Sequence, residues 1–162
     1  VSNYVKMCLI VSKSVRFFLL IYFFAKQLMN GFLGTYYVNL DDKGRANVPA
    51  KFRSILEKDN NLNMVVCVMD DFLIVFPQDE WKLNEEKMSD LSAFDTTDRN
   101  RLREFYSRAD ECEMKSGKVL VPSRLRKMAE LNKEIVLVGM SRTFEIWSKD
   151  RWEKANPEFA EN

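Results

Sequence analysis

The chain states one pattern twice, and this constrains its fold more than any other feature. Lay "KGRANVPAKFR" (43–53) over "SGKVLVPSRLR" (116–126). Gly44 then meets Gly117, Pro49 meets Pro122 and Arg53 meets Arg126, each 73 residues apart. Arg45 meets Lys118, and Phe52 meets Leu125. Further on, "FLIVFPQDEW" (72–81) lies over "TFEIWSKDRW" (143–152), with Phe76 on Trp147, Asp79 on Asp150 and Trp81 on Trp152, now 71 apart. Two blocks in the same order define two copies of a unit of about 50 residues. A unit that small buries too little apolar surface to stand comfortably alone. The copies are therefore expected to share a core by pairing or interleaving strands, as a pseudo-dimer within one chain. Edge strands left over at either end would invite further subunits.

Each copy reads the same way. "TYYVNL" (35–40) has strand composition, "DDKG" is a turn, and "RANV" is a short returning strand. Pro49 suits the start of a helix, since its missing N–H would be unpaired there anyway. Phe52, Ile55 and Leu56 give that helix one apolar face. "MVVCVM" and "FLIVF" read as strands around an Asp70-Asp71 turn, and "PQDEW" opens a helix whose Trp81 packs on the sheet. The second copy supplies "VLVP", the helix "SRLRKMAEL", the strands "IVLVGM" and "TFEIW", and the helix "SKDRWEKA". Between the copies, "TTDRNRLREFYSRADEC" reads as a capped helix with Leu102, Phe105 and Tyr106 on one face. Its Arg99, Arg101, Arg103 and Arg108 could form a basic surface, but the preferred reading is a solvated face balanced by Asp98, Glu104, Asp110 and Glu111. The expected fold class is α+β, mainly β. The expected divisions are an extension over 1–28, a first unit over 29–81, a helical connector over 82–110, a second unit over 111–154 and a tail over 155–162.

Composition narrows the chemistry. Of 162 residues, 46% are hydrophobic and 30% charged, so the chain can build a core. It has no histidine, which removes Ser-His-Asp and Cys-His catalysis and the commonest general base. Cys8, Cys67 and Cys112 lie far apart, with no CxxC pair, so neither a zinc site nor a disulfide framework is expected. Five glycines never fall into GxGxxG or GxxxxGK[ST] spacing, which leaves no phosphate cradle. No metal, no cofactor and no small-molecule substrate is expected.

Residues 1–28 are of another kind. They carry Lys6, Lys13, Arg16 and Lys26 and no acid, around the apolar run "FFLLIYFFA" (17–25). Nine apolar residues fall short of the roughly 20 that span a membrane, and no A-x-A-like cleavage site follows. A weak anchor, a helix covering the core and upstream sequence before a natural start at Met29 are the competing readings, and the last is preferred. Without this segment, 21 basic residues face 24 acidic ones, so any contact with nucleic acid must come from local patches.

Such patches exist. "LDDKGRANVPAKFR" (40–53) carries four basic and two acidic residues, and 113–127 carries five basic residues against Glu113. As a catalytic pair Asp41 and Asp42 are poorly placed, because adjacent strand residues point to opposite faces and the second copy puts Met114 and Lys115 there. As a binding hairpin the stretch works better: a tight turn presents Lys43 and Arg45, and its twin presents Lys115 and Lys118. Arginine suits guanine edges, and both residue types suit phosphates. Asp41 would orient Arg45 across the hairpin. From composition alone, ordinary solvated turns remain an equal alternative.

The blocks "LDDKGRANVPAKFR", "ECEMKSGKVLVPSRLRKMAEL", "EIVLVG" and "FEIWSKDRWE", in that order from about Met29 to Trp152, resemble the MraZ family of transcriptional regulators, built from two SpoVT-AbrB-type domains. The resemblance implies tandem swapped-hairpin β-barrel-like units, assembly into homo-oligomeric rings, and binding to direct repeats of double-stranded DNA in the promoter of a division and cell-wall gene cluster. It implies a cytoplasmic, nucleoid-associated protein that represses by occupying a promoter, without catalysis. The family's Asp-x-x-x-Arg motif falls on Asp41 and Arg45. In the second copy Lys118 replaces the arginine, Met114 takes the acid's place, and the loop before Gly117 is one residue shorter. Lysine keeps the charge and loses the planar fork, so Arg45 is expected to read bases and Lys118 to make a phosphate or weaker contact. The alternatives are an antitoxin-like protein, against which the two domains and short tail argue, and a membrane-associated scaffold that leaves promoter DNA unbound.

Overall fold

Among the described residues eight strands form one sheet, each antiparallel to its neighbours. The computed structural model describes residues 31–159. The segment 1–28, Met29 and the residues beyond 159 lie outside the described residues, together with the readings placed on them. The strands are β1 (Thr35–Asn39), β2 (Arg45–Asn47), β3 (Asn63–Met69), β4 (Phe72–Pro77), β5 (Ala109–Lys115), β6 (Lys118–Leu120), β7 (Glu134–Met140) and β8 (Thr143–Ser148), and they lie in the sheet in the order β1-β7-β8-β4-β3-β5-β6-β2. The described helices are α1 (Ala50–Lys58), α2 (Gln78–Met88), α3 (Thr96–Ser107), α4 (Ser123–Met128) and α5 (Lys149–Ala155), and a 3-10 turn covers Pro157–Phe159. A bridge between Leu40 and Ala46 joins the two ends of the sheet, so the strands form a nearly closed barrel. The fold is mainly β with short helices, as the repeat and the resemblance imply.

The strand order shows how the copies share a core. β1 of the first copy pairs with β7 of the second, and β5 of the second pairs with β3 of the first. The hairpins β3-β4 and β7-β8 are equivalent. The two self-related contacts, β4 with β8 and β2 with β6, mark where the pseudo-two-fold axis passes. The backbone repeats this symmetry. Leu40 N–H donates to Lys133 O at 2.8 Å, and Met114 N–H donates to Leu62 O at 2.8 Å. Gly139 N–H donates to Gly34 O at 2.9 Å, and Val68 N–H donates to Arg108 O at 2.9 Å.

Local chemistry sets the elements. Pro49 and Pro122 stand at the N-caps of α1 and α4, each with φ −54°. Asp95 caps α3 by accepting from Thr97 N–H and Asp98 N–H. That helix, expected to run on through "ADEC", stops at Ser107, and Ala109 begins β5. Tertiary pairing overrides local preference here, because β3 offers an edge on which Cys112 pairs with Met64 and Asp110 with Val66.

The core draws on both copies. Phe32, Phe52 and Phe144 are buried, with ring centroids 5.1–5.2 Å apart, and Tyr36 packs edge-on to Phe52. Leu56, Leu73 and Val75 of the first copy join Leu125, Ile135 and Ile146 of the second in the same cluster. Trp81 stacks on Phe105 at 4.7 Å, which fastens α3 to the first copy. Trp152 packs against Trp147 at 5.7 Å in the second.

Candidate nucleic-acid interface

Asp41 organises the β1–β2 turn. Its backbone carbonyl accepts from Gly44 N–H at 2.8 Å, and its own N–H donates to Arg45 O at 2.9 Å. Its Oδ1 accepts from Arg45 N–H at 2.9 Å and Lys43 N–H at 3.1 Å, while Oδ2 accepts from Arg45 Nε–H at 2.8 Å. Gly44 has φ +80°, a region open to glycine at little cost. The Arg45 N–H bond, then its guanidinium and the Lys43 N–H, hold the Asp41 carboxyl down at about 2, against a partial desolvation that works the other way.

Arg45 and Lys118 share a face. Ala46 pairs with Val119 across β2 and β6, and both are buried. Side chains alternate along a strand, so Arg45, Asn47, Lys118 and Leu120 lie on the opposite, outward side. There Lys118 Nζ stands 3.6 Å from Asp41 Oδ2, the oxygen that Arg45 Nε already holds. The two cations keep 38% and 41% of their side-chain surface exposed, so neither is withdrawn into the core. Among the described residues neither Nη group of Arg45 has a hydrogen-bond partner, and Lys43 is exposed.

The second turn differs. Lys115 pairs with Lys118 around Ser116 (φ 50°) and Gly117 (φ 72°), a two-residue turn. In register, Leu40 corresponds to Met114, 74 residues on, and both are buried. The residue in Asp41's place is therefore Lys115 and not Met114. The missing residue in the shorter turn shifts the match by one, so the acid is replaced by a cation. Lys115 Nζ is 2.7 Å from Glu113 Oε2 two residues back on its own strand. With no carboxylate of its own turn to orient it, Lys118 reaches the first copy's Asp41. The structure thus brings Asp41, Arg45 and Lys118 together, leaves Lys43 on the same turn, and places Lys115 at the other turn with a local acid.

The repeat aligns Arg53 with Arg126, and their sequence context alone assigns neither a role. Each lies against the turn glycine of the opposite copy. Their matched spacing to Gly44 and Gly117 was the available signal.

A groove of about 610 Å³ runs along β1, lined by Tyr36, Val38, Val48, Pro49, Arg53 and Gly117 among others. It holds no carboxylate or thiol that could serve as base or nucleophile. Among the described residues no three His, Cys, Asp or Glu side chains are placed to hold a metal, and no helix is long and apolar enough to cross a membrane. Burial pushes the Cys112 thiol up to about 12, with the Asp110 charge adding to it, and burial also raises Cys67.

One nearly closed barrel interleaved from two matched halves, each with a basic turn, defines the class of fold, and comparison with known proteins gives the family. The family model described as "MraZ protein, putative antitoxin-like" matches residues 32–104 and 105–162. The "Transcriptional regulator MraZ" of Pediococcus pentosaceus is 42% identical over 132 residues, covering 81% of this chain and 90% of that protein. The protein of the same name from Desulforamulus reducens is 42% identical over 126 residues, covering 77% and 87%. Its counterpart in Carboxydothermus hydrogenoformans is 43% identical over 122 residues, covering 75% and 83%. The chain belongs to the MraZ family of transcriptional regulators.

Proposed function

We propose that this protein binds double-stranded DNA at direct repeats in a promoter, as a ring of identical subunits, and represses a division and cell-wall gene cluster. In this reading residues 29–81 and 111–154 are the two SpoVT-AbrB-type units, bridged by 82–110 and flanked by 1–28 and 155–162. The protein works in the cytoplasm, associated with the nucleoid.

The observation that carries the reading is the grip of Asp41 on Arg45 on an outward sheet face shared with Lys118. Nε is committed to Asp41, which leaves the two Nη groups for the bidentate contact that guanine O6 and N7 accept. Holding the side chain before binding lowers the entropic cost of ordering it. Lys43 and Lys118 serve as phosphate contacts, and Lys115, paired with Glu113, as a weaker one. One such arginine supplies only about 1–3 kcal/mol of discrimination. A ring presenting the hairpin several times to regularly spaced repeats multiplies that through effective concentration.

The test is a titration, at fixed salt, of a duplex carrying the promoter repeats. Arg45→Ala is expected to weaken binding at least about tenfold with an unchanged circular-dichroism spectrum. Equal affinity of variant and parent rejects the role of Arg45. Failure of the parent to prefer the promoter duplex over a scrambled one rejects sequence-specific binding, as a scaffold protein would require.

A further inference from the structure

Each DNA-facing turn is covered by an arginine from the other repeat. A Cβ built on Gly44 would collide with Arg126 Cζ and lie 2.5 Å from its Nη1 and 2.7 Å from its Nε. One built on Gly117 would lie 2.7 Å from Arg53 Nη1 and 2.9 Å from its Cδ. The backbone makes the same exchange, with Val121 N–H donating to Gly44 O at 3.1 Å and Val48 N–H to Gly117 O at 2.9 Å. The path is short in both copies: the returning strand, a proline, one turn of helix, then the arginine. Arg53 N–H donates to Pro49 O at 2.9 Å and Arg126 N–H to Pro122 O at 3.0 Å, which sets each guanidinium stem one turn into its helix.

We propose that Arg126 and Arg53 are positioning residues, each bracing the binding turn of the opposite repeat, with Arg126 fixing the turn that presents Arg45. This rests on the DNA-binding reading above. A planar guanidinium can lie flat on a peptide turn where a tetrahedral ammonium cannot. Glycine suits the place beneath it for two reasons: the positive φ costs it little, and it puts no Cβ where the guanidinium sits, so that a larger residue there would push the arginine off the turn. The two braces are unequal. Arg126 Nε is buried with no hydrogen-bond partner among the described residues, whereas Arg53 is exposed. A buried cationic donor left without an acceptor is costly, and its retention over Gly44 is explained if flat packing on the turn, and not a salt bridge, is its task. The turn under Arg126 carries Arg45, so loss of Arg126 should be felt most in base reading. The brace also couples the repeats, because neither hairpin is held by its own copy alone.

The experiment compares Arg126→Ala, Arg126→Lys and Arg53→Ala in the full chain. Binding is read against the promoter duplex and a scrambled duplex across a salt series, and the Gly44 amide and Arg45 Nε–H signals are followed by ¹H–¹⁵N NMR without DNA. The expected result for Arg126→Ala is a loss of about tenfold in specific affinity, an unchanged salt slope, and shifted Gly44 and Arg45 Nε–H signals. Arg126→Lys should behave like the alanine variant, and Arg53→Ala should lose less. A phosphate contact would instead be rescued by lysine and would lower the salt slope by about one in the alanine variant; that pattern overturns the proposal. Unmoved Gly44 and Arg45 signals overturn it as well. If the parent binds no DNA specifically, the function fails, yet the NMR comparison still decides whether Arg126 holds the turn. Should Arg126→Ala unfold, Arg126→Met keeps the stem's apolar volume and is read by the same criteria.

Discussion

Arg45 of the first repeat and Lys118 of the second end on the same atom, Oδ2 of Asp41, at 2.8 and 3.6 Å. One carboxylate therefore sets the spacing of two cations that come from sequence positions 73 residues apart. An exposed ion pair contributes little to stability. Its value here lies in geometry, since it holds a guanidinium fork on an outward sheet face with its Nη edge unengaged.

Asp41→Asn separates geometry from charge. Removing a negative charge beside a polyanion should, by electrostatics alone, strengthen binding. Loss of the Oδ2 contact frees Arg45 and Lys118, so specific affinity is expected to fall roughly tenfold, about 1.4 kcal/mol. Anisotropy titrations against promoter and scrambled duplexes measure the sign directly.

Lys118→Ala is expected to cost less than Arg45→Ala and to act on all sequences alike. A lost phosphate contact reduces the salt slope by about one and leaves the ratio of specific to non-specific binding unchanged. A large loss of specificity would assign Lys118 to base reading. Binding across a salt series distinguishes the two.

Binding should be flat from about pH 6 to about pH 8, because the chain has no histidine. The folded Asp41 carboxyl, at about 2, lies below its ordinary value of 3.8. Its contribution is therefore fully present above that ordinary value and fades only as the pH falls through about 2. A titration of affinity at constant ionic strength checks the plateau; a step near neutrality would require a group outside the hairpins.

Phe52→Ala is expected to destabilise the protein by about 3–5 kcal/mol. Phe52 is fully buried at the meeting point of Phe32, Tyr36 and Phe144. Both repeats face that point, so chemical denaturation should show one cooperative transition moved to lower denaturant, and not the early melting of one half.

Cys112 should resist alkylation while the protein is native. Its thiol, raised to about 12, holds almost no thiolate near pH 8. Site-resolved mass spectrometry after iodoacetamide, with and without denaturant, reports the difference.

Much of this architecture was legible because it is local. A proline before an apolar helical face, a glycine in a turn and alternating strands need only near neighbours, and the repeat doubled each signal. "ADEC" was not legible: its composition is compatible with continuing a helix, and only the open edge of β3 makes it a strand. The residue equivalent to Asp41 was also misread. The shorter turn is legible in the letters, but which residue then stands in Asp41's place is set by strand register, which shows only in the pairing of Met114 with Val119.

The amino-acid order alone determined that there are two matched units, that each offers a basic turn, and that the chain has no histidine, since these follow from residue identity and short-range spacing. The tertiary structure decided that the units interleave in one sheet, that Lys118 is tethered by the other repeat's Asp41, and that Arg126 lies on Gly44. Those relations join residues far apart in the chain. They exist because neither copy can bury its apolar face alone, so the cores merge and carry the polar turns to one another.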